Sequence, residues 1–85
     1  MEKIRKMVDN LLVMFGRDEE NRALVMNAMS RVESGDLASA YWILHGFVLG
    51  CENAHIDIHY PPPAKEKVIS QAVHELSVAV RRMIH

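Results

Sequence analysis

Residues 46 to 54 read Gly-Phe-Val-Leu-Gly-Cys-Glu-Asn-Ala. Gly46, Gly50 and Ala54 therefore recur every four residues, and in a helix they lie on one side. Each glycine inside a helix costs about 1 kcal/mol relative to alanine, so two glycines in one helix need a structural reason. A row of small residues forms a flat ridge on which another helix can approach closely. This stretch indicates helix packing rather than a chemical site.

A second apolar line runs through the same predicted helix, which covers residues 37–58. This line consists of Trp42, Leu49 and Ile56, which follow one another at seven-residue spacing and lie outside the main apolar arc of the helix. A helix that is apolar on two sides is central in a bundle or lies at a subunit interface. The line therefore meets either the last helix of the same chain or another subunit. The predicted interface combines the line and the ridge: Trp42, Leu49, Ile56, Gly46, Gly50 and Ala54.

Three more helices are predicted from apolar residues at helical spacing, at about residues 2–15, 19–33 and 64–84. Gly16 and Gly35 are helix stop signals, and each precedes an aspartate that can cap the next helix. The short turn at 34–36 makes helices 2 and 3 an antiparallel hairpin. In the last helix the residues predicted to face inward are Val68, Ile69, Ala72, Val73, Leu76, Ala79, Val80 and Met83.

The expected fold is all-α, a small bundle or array of four helices in a single domain, residues 1–85. The alternating residues 55–60 fit either the end of the third helix or a short extended segment. A proline triplet at 61–63 then ends regular structure.

The composition narrows the classes of function. A chain of 85 residues is marginal as a monomer, and oligomerisation is one common remedy. Ten basic and eleven acidic residues give a net charge of -1, which argues against a dedicated nucleic-acid binder. No signal peptide is evident, and no apolar stretch reaches the roughly 20 residues of a membrane span. We therefore expect a soluble cytoplasmic protein with no membrane partner.

One polar cluster suggests a metal site. Glu52-x-x-His55 matches the carboxylate and imidazole pair of di-iron helical bundles, and His59 and His45 lie on the same arc. A full di-iron site needs a second such pair, which the chain lacks. A divalent metal bound by Glu52, His55 and His59 is therefore kept only as an alternative hypothesis. Apart from this metal, no cofactor is expected. Cys51 lies on the apolar arc, where a free cysteine is usually inert, so no catalytic group is predicted and we expect no enzyme.

A further alternative is a small regulator that contacts nucleic acid through two basic ends. Lys3, Arg5 and Lys6 lie near the beginning of the chain, and Arg81, Arg82 and His85 lie near its end. The leading hypothesis is different: the protein acts by association, as a homo-oligomer or as a module that binds another protein.

Residues 31–41, Arg-Val-Glu-Ser-Gly-Asp-Leu-Ala-Ser-Ala-Tyr, carry two resemblances. The Gly-Asp turn followed by an apolar residue and an alanine resembles the turn of tetratricopeptide-type helical hairpins. The same turn with Ala40-Tyr41 and Gly46-Phe47 resembles a family of short archaeal helical proteins of unknown function. Both resemblances imply a helical hairpin, and neither implies an activity.

Overall fold

The chain folds into four α-helices in the computed structural model, which describes the backbone of residues 2–58 and 64–84 and the side chains of residues 2–50 and 67–84. Helix α1 spans Glu2–Phe15, α2 spans Glu19–Glu33, α3 spans Leu37–Ile58 and α4 spans Ala64–Arg81. The described residues contain no strand, so the all-α class is confirmed.

Near the end of the chain, the predicted bounds of the third helix are confirmed and the predicted end of the fourth helix changes. Because α3 continues through Ile58, residues 55–58 are helical and not extended, while residues 59 and 60 lie outside the described part of the chain. Helix α4 ends at Arg81, three residues before the predicted end at 84. The amides of Met83 and Ile84 donate to the carbonyls of Val80 and Arg81, at 3.0 Å each, so the chain closes a tighter turn there.

The turn between α1 and α2 joins two helix ends within three residues. Gly16 has a φ of 59°, in the left-handed region that favours glycine. Asp18 caps α2, because its carboxylate accepts the Asn21 amide at 3.3 Å. The Arg22 guanidinium donates two hydrogen bonds back toward α1, to the carbonyls of Leu12 at 2.7 Å and Gly16 at 3.2 Å. The Leu12 carbonyl also accepts the Gly16 amide at 3.3 Å, and Gly16 lies just beyond the end of α1, so Arg22 ties the last turn of α1 to the connecting turn.

The turn between α2 and α3 has the geometry of a Schellman motif. The Asp36 amide donates to the Arg31 carbonyl at 2.8 Å, and the Gly35 amide donates to the Val32 carbonyl at 3.1 Å. Gly35 has a φ of 86°, which the motif requires at this position. Asp36 then caps α3 by accepting the Ser39 amide at 3.2 Å. So short a connection makes α2 and α3 the antiparallel hairpin that was predicted.

The helices pack as a ring in which each helix contacts two neighbours: α1 and α3 both pack against α2 and α4. The core lies between all four helices, and Leu11, Val25, Leu44 and Leu76 are among its most buried residues. Phe15 and Phe47 meet edge to face in the core, with ring centroids 5.9 Å apart. The arrangement is a small four-helix bundle.

The buried residues follow the predicted stripes with one error. Val68 was predicted to face inward, but 55% of its surface is exposed. It lies about 80° from Leu76 around α4, at the margin of the stripe and in an early turn of the helix. Ala40 and Ser77 are buried in addition to the predicted residues, and the Ser77 hydroxyl donates to the His74 carbonyl at 2.6 Å. Among the described residues, no helix is long and apolar enough to cross a membrane.

Candidate functional site

Over residues 37–50, one side of α3 faces solvent without carrying a charge. We call it the α3 outer face; its exposed residues are Ala38, Trp42, Gly46, Leu49 and Gly50. Residues 37–50 include no Asp, Glu, Lys or Arg. The buried residues of this helix lie on its other side, at Ala40, Leu44 and Val48. An exposed helix face is normally polar or charged, so an uncharged one suggests a binding surface.

Trp42 is the largest group on the α3 outer face, with 66% of its surface exposed. Its ring meets the edges of two neighbouring rings: the centroids of Tyr41 and His45 lie 5.5 Å and 5.8 Å away. Tyr41 and His45 are themselves stacked, at 5.3 Å and with planes only 14° apart. The indole is therefore held by aromatic contacts on one side while its other side remains open to solvent.

A cation completes this aromatic group. The guanidinium carbon of Arg81, at the end of α4, lies 5.7 Å from the centre of the Tyr41 ring, within the range of a cation–π contact. The contact joins α4 to the first turns of α3, so that Tyr41 is fixed from two sides. The spacing of Tyr41 and His45, one helical turn apart, could have predicted their stacking. The position of Arg81 depends on the tertiary fold and had no local signal.

The glycines of the predicted ridge lie on open surface. A Cβ atom built on Gly46 or Gly50 meets no described heavy atom within 4 Å. Within the described part of the protomer, the close helix approach that would explain these glycines is therefore missing. Alanine would meet no described atom at either position and would strengthen the helix by about 1 kcal/mol, so the two glycines have no explanation among the described contacts of the protomer.

Four of the six predicted interface residues thus lie together on the α3 outer face: Trp42, Leu49, Gly46 and Gly50. The side chains of Ala54 and Ile56 lie outside the described residues. The four described residues make an accessible surface, and their role as an interface stays a prediction.

The predicted metal ligands Glu52, His55 and His59 also lie outside the described side chains. His45, the remaining member of that arc, packs on Tyr41 and Trp42. Among the described residues, no group of three or more His, Cys, Asp or Glu side chains is close enough to hold a metal ion. The metal hypothesis therefore stays a prediction from the sequence.

The two basic segments meet at one end of the bundle but do not form one continuous patch. Lys3 and Arg82 line the same groove between α1 and α4, of ≈ 420 Å³, which also contains Glu75. Arg5 lies on the other side of α1 and pairs with Glu33 at 3.4 Å. Arg81 is turned toward α3, and His85 lies outside the described residues. The cations are thus spread over three sides, with carboxylates among them.

A smaller groove of ≈ 290 Å³ lies between α1 and α2. Its floor is apolar at Val8, Leu12 and Met29, and Arg5 and Glu33 pair at its wall. Both grooves are open channels between neighbouring helices.

Comparison with protein families, with curated proteins and with solved structures finds no match to this chain.

Proposed function

We propose that this protein acts by protein association through the α3 outer face. The observation that supports the proposal most directly is the exposure of Trp42, 66% of whose surface is open, on a face that carries no charge over residues 37–50. Tryptophan is among the residues that most often dominate the binding free energy of interfaces. The aromatic contacts of Trp42 hold it in one orientation before binding, which lowers the entropy that association would cost.

The glycines beside Trp42 support the same proposal. Gly46 and Gly50 leave a shallow depression on the α3 outer face, since no described side chain covers them. A partner helix could approach the backbone of α3 more closely here than anywhere else on this face. The helix stability lost at two glycines is then offset in the complex and not in the protomer.

The expected affinity is modest. Removing the exposed parts of Trp42 and Leu49 from water is worth about 3–5 kcal/mol at roughly 25 cal/mol per Å². A micromolar complex requires about 8 kcal/mol, so the neighbouring surfaces must contribute the remainder. We therefore expect a reversible complex that depends on concentration.

Site-specific photo-crosslinking tests the proposal in cells that produce the protein. A photoreactive phenylalanine analogue replaces Trp42, and the matched control carries it in place of Val13, which is 81% exposed on α1. We expect a discrete adduct from position 42 and none from position 13. Adducts of equal yield from both positions, or from neither, would show that the α3 outer face is not a specific binding surface.

A further inference from the structure

We propose that the partner on the α3 outer face is a second copy of this chain, with the two α3 helices antiparallel about a twofold axis at Gly46. This inference rests on the proposed function and names its partner. Two features of the described residues support a second copy: the order of large and small residues on the face, and the distribution of charge along the bundle.

The order of residue sizes on the α3 outer face is self-complementary. An axis at Gly46 brings position 42 of one subunit opposite position 50 of the other. Trp42 then lies against Gly50 of the partner subunit, and the reverse contact forms on the other side of the axis. At the axis itself the two Gly46 backbones approach each other, where a Cβ atom would meet no described atom of its own subunit. Each bulky ring therefore has an open glycine position to occupy.

A parallel pairing of the same helices lacks this fit. It would place Trp42 opposite the partner's Trp42 and the glycines opposite glycines, so that the rings would hold the backbones apart where the glycines leave room. Close packing requires protrusions to meet depressions. The order of sizes therefore favours the antiparallel pair.

The charge distribution favours the same direction. α1 and α3 begin at one end of the bundle, where α2 and α4 end, as shown by the contacts of Arg5 with Glu33 and of Arg81 with Tyr41. That end has an excess of positive charge. Its six basic residues are Lys3, Arg5, Lys6, Arg31, Arg81 and Arg82, and its four acidic residues are Glu2, Glu33, Asp36 and Glu75, the last in the groove of Lys3 and Arg82.

The opposite end is less positive in its described side chains. There, three acidic residues balance three basic ones: Asp18, Glu19 and Glu20 against Arg17, Arg22 and Lys67. An antiparallel pair lays the positive end of one subunit beside the balanced end of the other. A parallel pair would bring the two positive ends together, which costs energy through repulsion.

The area of the face sets the expected strength. Residues 37–50 form about 21 Å of helix at 1.5 Å per residue, and the contact is about one helix wide, close to 10 Å. Such a contact is smaller than the roughly 800 Å² per partner of a stable interface. We therefore expect a weak dimer that forms in the micromolar range or above.

Cysteine crosslinking tests the pairing and its direction together. Gly46→Cys and Ala38→Cys are introduced separately into the full chain with Cys51→Ala, and each is oxidised at concentrations from about 10 µM to about 1 mM. We expect Gly46→Cys to form a disulfide dimer, since position 46 lies on the axis. Ala38→Cys should not, because two such residues would lie about 24 Å apart along the pair. Both variants keep Trp42, and both substitutions lie on exposed positions.

A Trp42→Ser substitution on the Gly46→Cys background is the specificity control. It should reduce the yield of disulfide dimer at least fivefold, while Val13→Ser on the same background should leave the yield unchanged. A dimer through Ala38→Cys would overturn the antiparallel pairing and leave the proposed function intact. If neither cysteine crosslinks while position 42 still forms an adduct with a different protein in cells, the second copy is the wrong partner. If neither experiment gives a product, both proposals fail.

Discussion

Gly35 and Gly46 show how one residue type serves two different needs. Gly35 has a φ of 86° in the turn between α2 and α3, a conformation that a Cβ atom makes unfavourable by about 1–2 kcal/mol. We expect Gly35→Ala to lower the free energy of unfolding by about 1 kcal/mol, which corresponds to a Tm lower by about 4–8 °C in a domain of this size. Thermal unfolding followed by circular dichroism measures the change.

Replacing Gly46 by alanine should have the opposite effect on the free energy of unfolding in dilute solution, where the protein is monomeric. Gly46 lies inside α3 with a helical backbone, and a Cβ atom there meets no described atom within 4 Å. Gly46→Ala should therefore raise the free energy of unfolding of the monomer by about 1 kcal/mol. A loss of stability in dilute Gly46→Ala would mean that the glycine already has a close neighbour within the protomer.

Asp36 connects the second turn to pH. The pKa of its carboxyl lies below the usual value of 3.8 because of hydrogen bonds from the Ser39 hydroxyl and the Ser39 amide, with a smaller contribution from Arg31. A lowered pKa in the folded state stabilises the fold above pH 3.8, and this contribution is lost as the pH falls through the folded-state value. The cap therefore strengthens α3 at neutral pH and weakens only in acid.

Urea unfolding at pH 7 and at pH 3 measures this effect. Asp36→Asn keeps a capping oxygen but has no charge to lose, so native protein should lose more stability between the two pH values than Asp36→Asn does. In Ser39→Ala the hydroxyl is absent and the amide remains, which should give an intermediate loss. Equal losses in all three proteins would show that the cap does not titrate in this range.

The hairpin of α1 and α2 depends on Arg22. Its guanidinium donates to the carbonyls of Leu12 in α1 and of Gly16 just after it, at 2.7 and 3.2 Å, and the shorter of these contacts is partly buried. A charged donor of this kind contributes about 1–2 kcal/mol once its screening by water is considered. Arg22→Ala should lose that amount in urea unfolding, while Arg17→Ala, at an exposed position in the same turn, should change little. Similar losses in both variants would assign the effect to net charge instead.

The helices themselves were predictable because their signals are local. Asp18 and Asp36 come after glycines at the two tight turns, and the end of α1, both ends of α2 and the beginning of α3 lie at those turns. The end of α4 was misplaced because Met83 continues the apolar spacing although the helix ends at Arg81. Val68 was misassigned because its exposure depends on which helix lies beside that turn, and spacing within one helix does not contain that information.

For the candidate site, the sequence and the fold contribute different parts. Spacing alone placed Trp42 and Leu49 on one line and the two glycines on another, and the fold shows that both lines share one exposed face. The contact of Arg81 with Tyr41 joins residues 40 positions apart, so no local pattern could reveal it. Spacing also could not show whether the glycines contact a neighbouring helix of the same chain, because that depends on the ring in which the helices pack.

For the molecule as a whole, self-association makes stability depend on concentration. Binding of a second copy to the folded state raises the free energy of unfolding, by about 0.4 kcal/mol when the free concentration equals Kd, as expected for a weak dimer at about 1 mM. We therefore expect the Tm of native protein to rise by a few degrees between about 10 µM and about 1 mM, because a small domain shifts by about 4–8 °C per kcal/mol.

Two variants separate this effect from general changes in stability. Trp42→Ser should leave the dilute Tm nearly unchanged, since most of the ring is exposed, but should abolish the rise with concentration. Val13→Ser removes an even more exposed apolar residue from α1 and should keep the rise. If Trp42→Ser lowers the dilute Tm as much as a core substitution such as Leu44→Ala, by several degrees or more, then Trp42 supports the protomer itself. That result would show that Trp42, the largest residue of the α3 outer face, makes its stabilising contacts within its own subunit and not with a partner.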